Sequence, residues 1–72
     1  MSHRWSATSA KRVLAALIRV GWIKKRQSGS HLTLTRDGWP NYTWAFHDRD
    51  EVGPAILAKI AKKTGLTPDD LR

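Results

Sequence analysis

The apolar residues change their spacing twice along the chain, and this limits the folds it can adopt. In "SAKRVLAALIRVGW", Val13, Leu14, Leu17 and Ile18 recur at the i, i+1, i+4, i+5 spacing of one helical stripe. In "SHLTLTR" the period drops to two, so that Ser30, Leu32 and Leu34 share one face of a strand and His31, Thr33 and Thr35 share the other. Helical spacing returns at Ile56, Leu57, Ile60 and Ala61. Thr8 or Ser9 caps the first helix, expected over 9–20, and Gly21 suits the left-handed position past its end. Pro54 fits the first turn of the second helix and Gly65 stops it. Thr67, Pro68 and Asp70 repeat the start signal for a final short helical turn.

Three strands are expected between the helices. "WIKKRQ", residues 22–27, is the first, and a turn through Ser28 and Gly29 leads to the strand whose leucines face the core. Asp37, Gly38 and Pro40 read as a loop. "YTWAFH", residues 42–47, follows as a third strand with Tyr42, Trp44 and Phe46 inward and His47 on the open face with His31. The expected class is therefore α+β: helix, three-stranded antiparallel meander, helix, with both helices on one face of the sheet.

Residues 1–72 form one domain, of which 1–8 are expected to be a flexible N-terminus. A chain this short buries only about 60% of the surface it exposes when unfolded. It has no cysteine, so neither a disulfide nor a thiolate zinc site supplements the core, and a thiol nucleophile is excluded. The first residues lack the pattern of a secretory signal and no apolar run approaches a membrane span, so a soluble cytoplasmic protein is expected, with no membrane partner.

Charge narrows the partner. Thirteen Lys and Arg stand against six Asp and Glu, a net +7. Residues 1–26 hold Arg4, Lys11, Arg12, Arg19, Lys24, Lys25 and Arg26 and no acid, whereas every acid lies at Asp37 or later. Such a concentration suits a polyanion, and nucleic acid before a membrane surface, because the basic helix also presents an apolar face that a core would claim. Lys59, Lys62 and Lys63 fall late in the second helix, where the negative end of its dipole accounts for them without a ligand.

Only imidazole among these side chains exchanges a proton near neutral pH without a large perturbation. His3 lies in the terminus expected to fray. His47 ends a strand beside acids and serves either a structural hydrogen bond or catalysis. His31 follows a Gly-Ser turn, projects opposite two leucines and lies close in sequence to Lys24, Lys25 and Arg26; it is either an acid-base group, a phosphate contact or an idle surface residue. RNA cleavage through the 2′-hydroxyl fits this equipment, since it needs proton transfer and cations for the phosphate but no metal and no other cofactor. The histidines show no metal-ligand spacing, and there is neither a G-x-S-x-G elbow that would make Ser30 a nucleophile nor a P-loop.

Through "LAALIRVGWIKKRQSGSHLTL", an alternating strand ending in His47 and "ILAKIAKKTGLTPDDL", the chain resembles the HicA family of type II toxins, small mRNA interferases paired with a HicB antitoxin. The resemblance runs from about residue 9 to the C-terminus, and Gly-Ser-His after a helix, a glycine-aromatic pair and a basic strand is its most specific element. It implies a double-stranded-RNA-binding-domain-like fold, places the family's catalytic histidine on His31 with Gly29 and Ser30 shaping the turn before it, and places the strand-end histidine on His47. The chain departs from the family at "VGPAIL", where many members open the second helix with Gly-Thr-Leu, and at Ala45, where a proline is usual.

The expected protein is a metal-independent endoribonuclease, monomeric when free, that binds mRNA through Lys24, Lys25, Arg26, Lys11 and Arg12 and uses His31 as acid or base. Lys25, His47 or water shares the proton transfers. The antitoxin is expected to cover the basic face that bears His31. The alternative is a non-catalytic RNA-binding module of the same fold, which leaves His31 without a role. Trp39 stacks on a base or on the antitoxin, or else closes over the core.

Overall fold

A computed structural model describes residues 4–72; the His3 candidate lies outside the described residues. The order is β1 (Thr8–Ser9), α1 (Ala10–Arg19), β2 (Ile23–Ser28), β3 (His31–Arg36), β4 (Trp39–Trp44), β5 (Glu51–Val52), α2 (Pro54–Thr64) and a 3₁₀ turn (Pro68–Leu71). Strands β2, β3 and β4 form an antiparallel sheet in that order, with β3 central. This is the α+β arrangement expected, and it is compatible with a double-stranded-RNA-binding-domain-like fold. Leu32 and Leu34 of β3 and Trp44 of β4 join Val13 and Leu17 of α1 and Leu57 and Ile60 of α2 in one buried cluster. Both helices therefore pack on the leucine side of the sheet.

The helices are rotated from the stripes read in sequence. In α1 the buried residues are Ala10, Val13, Ala16 and Leu17, while Ile18 is 38% exposed. In α2 they are Leu57, Ile60 and Thr64, while Ile56 is 40% exposed. Ala10 and Ala16 take inward positions of α1, and Thr64 is satisfied inside because its hydroxyl donates to the Ile60 carbonyl at 2.8 Å. Ser9 caps α1, its hydroxyl accepting the Arg12 N–H at 3.3 Å. The next donors of that helix find backbone partners: Ala10 N–H donates to the Asp50 carbonyl at 2.8 Å and Lys11 N–H to that of Asp48 at 3.2 Å.

Two sequence expectations are corrected. The first hairpin turns at Gly29–Ser30, not Ser28–Gly29, because Ser28 pairs with His31. β4 covers Trp39–Trp44 and not 42–47, because Asp37–Gly38 makes a two-residue turn and Pro40 is taken into the strand. That placement is tolerated because β4 is an outer strand and its register slips between Leu34 and Arg36, leaving an extra residue at Pro40–Asn41. Among the described N-terminal residues, Trp5 packs against the core and Thr8 pairs with Val52 in a small separate sheet.

Trp39 lies beside Trp22 at the edge of the core and stays 37% exposed. Its ring lies 6.0 Å from that of Trp22, and the Arg36 guanidinium lies 5.9 Å from its centre. Gly65, which ends α2 at φ 75°, completes this corner: a Cβ there would stand 2.7 Å from Cη2 of Trp39. Gly65→Ala combines a left-handed backbone with that clash. It is expected to cost about 2–3 kcal/mol and to lower Tm by roughly 10 °C, read by thermal circular dichroism. An unchanged Tm would mean that the corner is not packed.

Candidate functional site

His31 is placed by the tight turn before it and by the leucines after it. Gly29 occupies the first central position of the two-residue loop with φ 60°, the left-handed value that a II′ hairpin requires there. The Gln27 side-chain amide donates to the Gly29 carbonyl at 3.3 Å and braces the loop. Because side chains alternate along a strand, burial of Leu32 and Leu34 sends His31, Thr33 and Thr35 to the face that no helix covers. His31 is exposed there.

Strand pairing names its neighbours. Ser28 lies directly opposite His31, and Arg26 and Thr43 flank Thr33 from the two sides. Arg26 is thus one diagonal step from His31, a separation of about 7–8 Å between backbones that a long side chain spans. Sequence reading missed Ser28 and Thr43; placing the turn at Gly29–Ser30 would have found Ser28 by alternation alone.

The basic run is divided. β2 slips register between Lys24 and Arg26, which leaves Lys25 as an extra, unpaired residue and reverses the alternation on either side of it. Lys24, opposite Leu34, falls on the helix side of the sheet, where it borders a surface depression with Lys11, Leu14, Ile18 and Asp48. Of the three adjacent cations, Arg26 is the one that pairing puts on the His31 face. Lys24 and Lys11 thus lie together beside α1, with the acid Asp48 at the same depression. Among the described residues the one ion pair joins Arg72 to Asp69, so Lys24, Lys25 and Arg26 carry uncompensated charge.

Arg12 is engaged elsewhere. Its guanidinium donates to the Leu71 carbonyl at 3.0 Å, and that of Arg19 donates to the Asp70 carbonyl. Together they fasten the C-terminal 3₁₀ turn to α1. His47 does not share a strand face with His31, because β4 ends at Trp44. It opens a turn in which its N–H donates to the Asp50 carboxylate at 2.9 Å and its carbonyl accepts the Asp50 N–H at 2.9 Å. The hydrogen bonding at His47 is thus a backbone matter, and its side chain is exposed. Among the described residues no three His, Asp or Glu side chains gather as metal ligands would, and no helix is long and apolar enough to cross a membrane.

Chemically, the uncovered face offers an exposed imidazole, a guanidinium and hydroxyls beside it. Such a set can move one proton and hold a phosphate. The family model described as the HicA toxin of bacterial toxin-antitoxin matches residues 10–66, which spans α1, the whole sheet and α2. No curated protein and no solved structure matches the chain. With His31 at the head of β3 and the family match extending across every element around it, the chain belongs to the HicA toxin family, whose members are the toxins of bacterial toxin-antitoxin pairs.

Proposed function

We propose that the chain is a metal-independent endoribonuclease that cleaves mRNA in the cytoplasm, with His31 exchanging the proton and Arg26 holding the scissile phosphate. The observation that carries this reading is the pairing of β2 with β3, which sets an exposed imidazole and an unpaired guanidinium on one uncovered face. A neutral imidazole takes the proton of the 2′-hydroxyl. The 2′-oxygen attacks the adjacent phosphorus, the bond to the 5′-oxygen breaks, and that oxygen leaves with a proton from solvent. The products are a 2′,3′-cyclic phosphate and a 5′-hydroxyl. The charge that grows on the phosphate oxygens in the transition state meets a guanidinium already in place.

The antitoxin, of the HicB type, covers this face; doing so hides His31 and neutralises Arg26 in one step. Lys24 and Lys11 lie on the helix side and add general attraction for RNA, whereas Arg12 serves the fold. Arg26→Ala is expected to lower kcat/KM by about 10- to 100-fold, the loss of a charge-assisted contact of roughly 1.5–3 kcal/mol. Lys24→Ala should change it by no more than about threefold, as for a screened surface charge. Equal losses in the two variants, measured by initial rates on one defined mRNA, would sink the division of the basic run.

The reading as a whole is tested by incubating the purified protein with a defined mRNA and a metal chelator, then sizing the fragments and identifying their ends. Cleavage that leaves 2′,3′-cyclic phosphates supports it. RNA that is retained but stays intact would replace it by a non-catalytic RNA-binding module.

A further inference from the structure

A groove of about 330 Å³ runs between β4 and α2, on the helix side of the sheet and away from His31. Its floor is apolar: Tyr42 and Phe46 from the β4 side, Ile56 and Ile60 from α2. Its rim is Lys59, Lys62 and Lys63, with no acid among the lining residues. On α2, Ile56, Lys59, Ile60 and Lys63 follow the i, i+3, i+4, i+7 spacing of one stripe. This is a second stripe, turned from the one through Leu57, Ile60 and Thr64 that faces the core. The helix dipole accounts for Lys62 and Lys63 in the last turn, but not for an isoleucine left 40% exposed at the other end of the stripe. Tyr42 is half-buried, and burial raises its pKa, so the phenol stays neutral beside the lysines.

We propose that this groove receives an acidic, apolar-anchored segment of the antitoxin, as a second contact separate from the one over His31. Charge complementarity selects the occupant: three lysines around an apolar slot fit a Leu, Ile or aromatic anchor flanked by Asp or Glu. A nucleobase fits less well, because the apolar floor offers its polar edge no partner beyond the Tyr42 hydroxyl and the rim lysines, none of which is an anionic acceptor for its N–H groups. Position supports the same choice. β4 is an outer strand, with Thr43 exposed on it and Ala45 exposed just past its end, while Tyr42 and Phe46 turn inward. A protein that covers the His31 face therefore reaches the groove by rounding one strand. The inference rests on pairing with an antitoxin and deepens the reading above.

The test is a titration of the toxin with the purified product of the gene adjoining its own, by calorimetry in the absence of RNA, using three variants. Ile56→Glu is expected to weaken binding about 30-fold or more. The double variant Lys59→Glu with Lys63→Glu is expected to weaken it about tenfold and to flatten its dependence on salt. Ile56→Ala, which adds no charge, should give a smaller loss in the same direction, and an unchanged circular dichroism spectrum shows that each variant is folded. RNA cleavage by all three should stay within about twofold of the parent. Affinities within threefold of the parent would overturn the proposal. So would lost RNA retention with intact antitoxin binding, which would make the groove part of an RNA path. No binding by the parent would overturn the pairing and the groove together. Because the titration contains no RNA, a parent protein that fails to cleave leaves this test standing.

Discussion

His31→Ala is expected to abolish measurable RNA cleavage, lowering the rate by about 10²- to 10⁴-fold, while RNA retention stays within about threefold of the parent. The separation follows from where the imidazole lies. His31 is exposed at the head of β3 and is no part of the buried cluster, so its removal leaves no cavity. Arg26, Lys24 and Lys25, the cations proposed to attract phosphate, keep their positions because the hairpin is set by Gly29 and by the burial of Leu32 and Leu34. His31→Gln sharpens the result. Glutamine retains size and hydrogen bonding but cannot exchange a proton near neutral pH, so it should be as inactive as alanine. A glutamine variant that cleaves at more than about a tenth of the parental rate would show that His31 only positions the substrate. An alanine variant that cleaves normally, or remains toxic on expression, would remove it from the mechanism.

Trp22→Ala is expected to have the largest effect on stability. Trp22 is 1% exposed and lies just past α1, and its indole N–H donates to the Thr64 carbonyl at 3.2 Å near the end of α2. It also supports the ring of Trp39. One side chain thus joins the ends of both helices to the turn between β3 and β4. Replacing a buried tryptophan by alanine costs about 3–5 kcal/mol, and a domain of this length has a total of about 4–11 kcal/mol. The variant should be largely unfolded at 37 °C. Trp22→Phe keeps most of the packing and leaves the Thr64 carbonyl without this donor, so about 1–2 kcal/mol is expected. Urea unfolding curves of the two variants check both values, and a loss below 1 kcal/mol for Trp22→Ala would show that the corner contributes little.

Both helices, β2, β3 and the placement of His31 were legible in the sequence because each depends on local periodicity and on glycines near the turns. Alternation through Leu32 and Leu34 fixes the side of His31 without any knowledge of partners. Trp39 was legible only as a choice; its ring rests beside Trp22 and Gly65 with 37% of its surface exposed. β4 was misread because Pro40 argues against a strand, and only its outer position and its bulge make room for proline. The division of Lys24, Lys25 and Arg26 between faces was not legible, for a related reason. A bulge inserts one residue into the alternation, and pairing with β3, not composition, shows where it falls. The pairing of Thr8–Ser9 with Glu51–Val52 and the grip of Arg12 on Leu71 join residues far apart in the chain. Nothing local announces them. Ile18 and Ile56 were expected inside with their neighbours, but Ala16 and Thr64 take the inward positions, and it is this rotation that leaves Ile56 at the groove.

The two bulges have a further effect on the company this protein keeps. A sheet with one bare face and two free borders is open to pairing with copies of itself, and stacked strands lead to aggregates. Here each border is spoiled. β2 carries Lys24, Lys25 and Arg26 along its kinked length, so a second such strand would meet like charge, and β4 offers a proline without an N–H at its own irregularity. Both borders therefore discourage pairing with the strands of sibling molecules while the polar face stays bare.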